Sequence, residues 1–333
     1  MPAHAYRGVL GLYAAVALPY LWTASHALAG LCGVDVNLAQ ANEVGHALTS
    51  ATSTAAWVWL VLLLRAETGL SPSHRRARYA ASSALLVLTV IDFAGLAAPS
   101  GQPTLVVGSL AQLTLLVWLA VAIAGHAGIP LGQVRPRARR KARTGSAPFW
   151  LVTGACMAAF LTAGALQNPL RRLPGPQGAE PPPEGLREHV ELIVGIVWSS
   201  VIEEVAVTAL VVALLAAARR PLWECLVVSA LMRALPHMYL GWVTLAALAL
   251  GVACAWLYYR YRRVLPLVVA HLGYDLILFA PPPYANAILV LAFLPSVLAV
   301  SVLQVRAEEQ VTIPATRRGS PPSATAPSEK AGR

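Results

Sequence analysis

Residues 198–215 read WSSVIEEVAVTALVVALL, and this stretch decides the fold. The apolar run around it extends from 189 to 217, longer than the roughly 20 residues that a membrane-spanning helix needs. Two adjacent carboxylates, Glu203 and Glu204, interrupt it. A charge at the centre of a bilayer costs at least about 2.5 kcal/mol, so intramembrane ionisable residues mark the places to look for function.

Working outward, further apolar runs lie at 8–30, 54–65, 80–98, 104–125, 148–166, 222–240, 242–259, 264–280 and 285–304, and the second has room to begin earlier, because Ala47 to Ala56 is rich in Ala, Thr and Ser and apolar enough to be buried. Together they predict an all-α, polytopic transmembrane helix bundle of about ten spans. Composition agrees, because 57% of the 333 residues are hydrophobic and only 12% are charged, about half the charge of an ordinary soluble domain. That balance excludes a soluble enzyme, a disulfide-stapled secreted module and a disordered chain.

The net charge of +10 gathers in short runs. These are Arg65 with Arg75, Arg76 and Arg78, the segment Arg135 to Arg143, Arg219 with Arg220, Arg260 with Arg262 and Arg263, and the tail. With ten spans and the N-terminus inside, all of them fall on the cytoplasmic side. One exception is Arg171 with Arg172, which this topology places outside. The expectation is a multi-pass cell-membrane protein with both termini cytoplasmic. Its basic segment 135–143 would anchor to anionic lipid and not to nucleic acid. The expected division is N-terminal transmembrane helices over 1–166, a Pro-rich loop over 167–187, a functional core with a final helix over 188–304, and a disordered cytoplasmic tail over 305–333. Arg7, the following apolar run and Ala27–Ala29 resemble a signal peptide, but the run's length favours an uncleaved first helix.

The C-terminal half concentrates its intramembrane polar residues. Glu203 and Glu204 point about 100° apart on a helix and suit either a general base or a structural pair bonded to neighbouring helices. His271 and Asp275 stand four apart and share a helical face. His237 follows Pro236, which disturbs a helix and frees backbone groups. Residues of these types on three helices are those needed to activate water and stabilise a tetrahedral intermediate.

This set resembles the CPBP family of type II CAAX prenyl endopeptidases and bacteriocin-processing proteins. That family carries E-E-x-x-x-R, F-x-x-x-H and H-x-x-x-N or H-x-x-x-D on successive membrane helices. The stretch LGWVTLAALALGVACAWLYYRYRRVLPLVVAHLGYD (240–275) is similar to the family's Gly-rich span, basic turn and final histidine helix. The resemblance covers roughly 195–280 and implies an intramembrane endopeptidase acting on a membrane-associated peptide or protein. In it Glu203 would activate water and His237 would help hold that water. His271 and Asp275 would bind the nucleophile or the oxyanion, and Glu204 would support them. The motif leaves open whether a divalent metal such as zinc is bound, in which case Glu203, His237 and His271 would be its ligands.

Two positions depart from the family pattern. Thr208 stands where the family has arginine, and Arg233 where it has phenylalanine. Either Arg233 supplies the missing charge by pairing with Glu204 across the helix interface, or it snorkels to an interface. Counted from the proposed cytoplasmic ends, Glu203 and His271 differ in height by about 12 Å. A strong tilt or an overlong sixth span would close that gap.

Competing classes are a non-catalytic membrane protein of the same fold, such as an immunity or partner-binding factor, and a proton-using transporter. The latter lacks a repeated broken-helix pattern. Elsewhere, Glu43 and His46 read as part of a solvated loop over 35–49, Asp92 as a buried carboxylate bonded to a neighbouring helix, and the four scattered cysteines as small buried hydrophobes.

Overall fold

The computed structural model describes residues 2–67, 71–94, 106–129, 131, 147–173, 185–279 and 302, and every regular element among them is helical. In chain order these are α1 (Pro2–Leu31), α2 (Leu38–Ala66), α3 (Pro72–Phe93), α4 (Val106–His126), α5 (Phe149–Leu170), α6 (Leu186–Ile202), α7 (Val211–Ala217), α8 (Leu222–Ala234), α9 (Thr244–Tyr261) and α10 (Leu265–Leu278). A π-helical segment, Glu203–Leu210, joins α6 to α7, and a 3₁₀ segment, Leu235–Val243, joins α8 to α9.

Specific contacts fix the direction of each helix. Trp59 of α2 packs on Gly11, and Gly45 faces Thr23, so α1 and α2 are antiparallel. Arg78 bonds Glu67 at 2.8 Å, and Phe93 meets His46 ring to ring at 5.9 Å, which sets α3 antiparallel to α2. Arg220 lies over the Tyr6 ring, Gly8 faces Leu214, and Tyr20 meets Trp198 at 5.0 Å, so α1 also runs antiparallel to the α6–α7 span. Arg263 donates to the Ala147 carbonyl at 2.8 Å, tying the start of α10 to the start of α5. At Gly241 the backbone (φ 61, ψ −130) turns α8 back along α9. Such a positive φ favours glycine. A Cβ on Gly251 would fall 2.7 Å from the Ala230 Cα, so the two legs of this hairpin touch backbone to backbone.

Six helical stretches among the described residues are long and apolar enough to cross a membrane, against the ten spans expected. The multi-pass, all-helical class stands. The region 80–98 falls on α3, which begins earlier, capped by Ser71 and with Pro72 in its first turn, and so carries Arg75, Arg76 and Arg78 within the helix. The region 264–280 gives the 14-residue α10. The regions 222–240 and 242–259 become the two legs of the Gly241 hairpin, and 285–304, apart from 302, lies outside the described residues.

The expected loop over 35–49 is helical from Leu38 onward, with Asn37 capping the Gln40 N–H. Glu43 and His46 therefore sit on a helix. The physical reason is a stripe of small residues, Ala41, Gly45, Thr49, Ser53 and Ala56, at helical spacing and buried in the bundle. Close helix packing in membranes uses such residues, and a count of large apolar side chains passes over them. The Pro-rich loop also starts later than expected, since α5 runs through Pro169 to Leu170. Asp92 is buried and accepts the Gly108 N–H at 2.6 Å. It thus caps the first turn of α4, where free backbone donors favour an anion.

Candidate functional site

The span that carries the glutamates changes helix type at them. Glu203 and Glu204 open the π-helical segment, and π-bulges occur frequently at functional sites. Ser229 of α8 donates to the Val207 carbonyl within this segment at 2.9 Å, supplying a partner from the neighbouring helix where the α-helical bonding is disturbed.

Around the pair, four elements converge. Arg233, in the last turn of α8, places Nη2 2.5 Å from Glu204 Oε1 and 3.0 Å from Glu203 Oε2. The same nitrogen lies 3.1 Å from His271 Nδ1 on α10. That Nδ1 is also 3.1 Å from Glu204 Oε1. His271 Nε2 reaches Asp275 Oδ2 at 3.4 Å. On the other flank, His237 Nε2 in the 3₁₀ segment stands 3.5 Å from Glu203 Oε1. The six side chains form one continuous path: His237, Glu203, Arg233, Glu204, His271, Asp275. Glu203 and His271, expected about 12 Å apart in height, are therefore both bridged by Arg233. The 32-residue span Leu186–Ala217 is long enough to bring its middle level with α10.

Arg233 does not snorkel, because its side chain is only 2% exposed. A buried guanidinium needs an anionic partner, and it has two. His271 admits two hydrogen-bonding patterns. When neutral, Nδ1 accepts from Arg233 and Nε2–H faces Asp275. As an imidazolium it donates from both nitrogens, to Glu204 and to Asp275. With three ionised carboxylates and one guanidinium, the cluster is net negative unless a histidine or a carboxyl takes up a proton.

Several residues here escape sequence reasoning. Phe160 of α5 meets His271 at 4.7 Å and Tyr274 at 5.6 Å, and the Arg233 guanidinium lies 5.6 Å from its ring centroid. It supplies an aromatic face beside the position where the family phenylalanine is replaced. Tyr274 presses its hydroxyl against Gly164, where a Cβ would not fit. Tyr13 of α1 lies between the Gly8–Leu214 and Tyr20–Trp198 contacts, beside the π segment, with its hydroxyl buried and no hydrogen-bond partner among the described residues. Glu204 Oε2, Arg233 Nη1 and Thr208 Oγ1 are likewise buried without such a partner. An aromatic residue in an apolar helix carries no sequence signal that separates site from packing.

A metal does not fit at the convergence point. Among the described residues no three His, Cys, Asp or Glu side chains are grouped to hold an ion. The Arg233 nitrogen occupies the position between Glu203, Glu204 and His271 Nδ1 where a cation would sit.

The helices define a multi-pass membrane protein. Residues 186–277 match the family model described as type II CAAX prenyl endopeptidase Rce1-like, which supports the CPBP resemblance and a protease-type domain over this stretch. No curated protein and no solved structure matches the chain.

Proposed function

We propose that the chain is an intramembrane endopeptidase that hydrolyses a peptide bond in a membrane-associated peptide or protein by means of water activated at Glu203. The observation that carries this reading is the 3.5 Å approach of His237 Nε2 to Glu203 Oε1 on the accessible side of a cluster whose other side is closed by Arg233. Catalytic hydrogen bonds are commonly long before substrate binds and tighten afterwards. A water bonded to both groups from the open side loses a proton to Glu203 as it attacks the carbonyl. His237 holds that water, and the His271 Nε2–H, which faces Asp275 at 3.4 Å in the resting site, is shared with the oxyanion as it forms. Glu204 stays paired with Arg233 and fixes its position. The protonated Glu203 then returns the proton to the leaving amine.

The core of this activity spans 188–304, and both termini face the cytoplasm, as the arginine-rich helix ends support. The test is cleavage of a membrane-anchored reporter peptide by membranes containing the protein. Glu203→Gln lowers cleavage by about 10²-fold or more while the protein remains inserted and folded. Full cleavage by that variant would overturn the reading.

A further inference from the structure

The site's side chains fall into three pairs, each with one partly exposed and one buried member, and the partly exposed one lies toward the same end of the bundle. Glu203 is 17% exposed and Glu204 0%; His237 is 32% and Arg233 2%; Asp275 is 20% and His271 8%. Along α6 and the π segment the chain runs away from the α1 C-terminus, so Glu203 precedes Glu204 on that side. Along α8 it runs toward the Gly241 tip, which puts His237 beyond Arg233. Along α10 it runs in the same sense as α5, so Asp275 lies beyond His271.

The opposite end holds the cations. Arg7, Arg65, Arg75, Arg76, Arg78, Arg219, Arg220, Arg260, Arg262 and Arg263 all sit at helix ends that the contacts above place together. Glu67 and Glu224 are the acidic residues described beside them. The Gly241 end carries Arg171, Arg172 and Arg187, balanced by Asp35, Glu188 and Glu191. Lys and Arg excess marks the cytoplasmic face of a membrane protein.

We infer that the cluster opens to the extracytoplasmic face and takes peptide segments presented there by membrane-anchored polypeptides. This deepens the protease reading and rests on it for the chemistry, but the direction of opening follows from geometry and charge alone.

The chain carries its own probe for orientation. Cys32, at the C-terminal end of α1, is its one exposed cysteine among four. In intact cells a membrane-impermeant maleimide labels Cys32, whereas a cysteine introduced by Arg76→Cys in a Cys32→Ser background labels only after permeabilisation. His237→Cys and, separately, Asp275→Cys in that background label in intact cells, and each is scored only where membrane insertion matches the parent. If Cys32 itself requires permeabilisation, the orientation is wrong and the inference falls with it. If Cys32 labels from outside but both site cysteines require permeabilisation, the orientation stands and the extracytoplasmic mouth is overturned. Loss of cleavage in Glu203→Gln is independent of side, so failure of the chemistry and failure of the direction read out separately.

Discussion

Arg233 and Glu204 come from different helices and meet at 2.5 Å, with both side chains buried. Thr208, four residues after Glu204 and so one turn away, occupies the position where the family arginine stands. The charge is thus delivered from across the interface instead of from the same helix.

That relocation predicts a rescue. Arg233→Phe leaves Glu204 buried without its cation, a change that costs about 3–5 kcal/mol, and both thermal stability and cleavage fall. Adding Thr208→Arg in the same chain restores the family arrangement and recovers a large part of both. A melting curve and a cleavage assay on the single and double variants check this. Cleavage by Arg233→Phe at the parent level would refute the charge relocation.

The two glutamates separate by consequence. Glu203→Gln lowers cleavage by about 10²–10⁴-fold, the range of a lost general base, with a smaller effect on melting than Glu204→Gln, because Glu203 is the more exposed and more distant partner of Arg233. Glu204→Gln removes half of a buried ion pair, so it lowers the melting temperature as well. Equal melting temperatures for the two variants would remove the distinction.

Because a guanidinium already holds the point where Glu203, Glu204 and His271 converge, chelation leaves activity unchanged. Dialysis against a strong chelator, followed by metal analysis and a cleavage assay, tests it. Loss of cleavage restored by zinc would contradict this prediction.

Asp92 serves the fold and not the chemistry. Asp92→Ala orphans the buried Gly108 N–H at a cost of about 1–3 kcal/mol, lowering stability while kcat of the surviving folded protein stays the same. Gly108→Ala is also destabilising, since the new Cβ would sit 2.6 Å from the Asp92 Cβ.

Gly251→Val pushes the α8–α9 hairpin apart at Ala230. Overpacking of this kind costs about 1–3 kcal/mol, and the displaced α8 carries Arg233 away from the carboxylates. Thermal unfolding and cleavage decline together, which a purely peripheral contact would not produce.

The sequence made the helical class, the separation of the 222–240 and 242–259 runs, and the identity of the ionisable side chains legible, because charges inside apolar runs stand out. It left the first turns of α2 hidden, since the small residues Ala47 to Ala56 mark only its middle, and Ala41 and Gly45 before them pack by being small and not by being greasy. It also concealed Phe160 and Tyr13, which belong to helices outside the resembling stretch and reach the cluster only through tertiary packing. The apparent height difference between Glu203 and His271 arose from counting residues inward from assumed membrane edges, and the π segment and the long sixth span make that count a poor ruler.

The π segment has one more consequence. In an α-helix each residue turns the chain by about 100°, so every residue taken up by i→i+5 bonding shifts all that follows by that angle. The glutamates therefore sit at a seam between two phases. Upstream, α6 addresses α4 and α10; downstream, α7 addresses α1 and α8. A one-residue deletion anywhere in 203–210 converts the seam to plain α-helix and swings the face of Val211–Ala217 away from its neighbours, while the upstream half keeps its contacts. Length changes in this short window act as a rotation of half a span, so the segment tolerates substitution better than it tolerates a single gap.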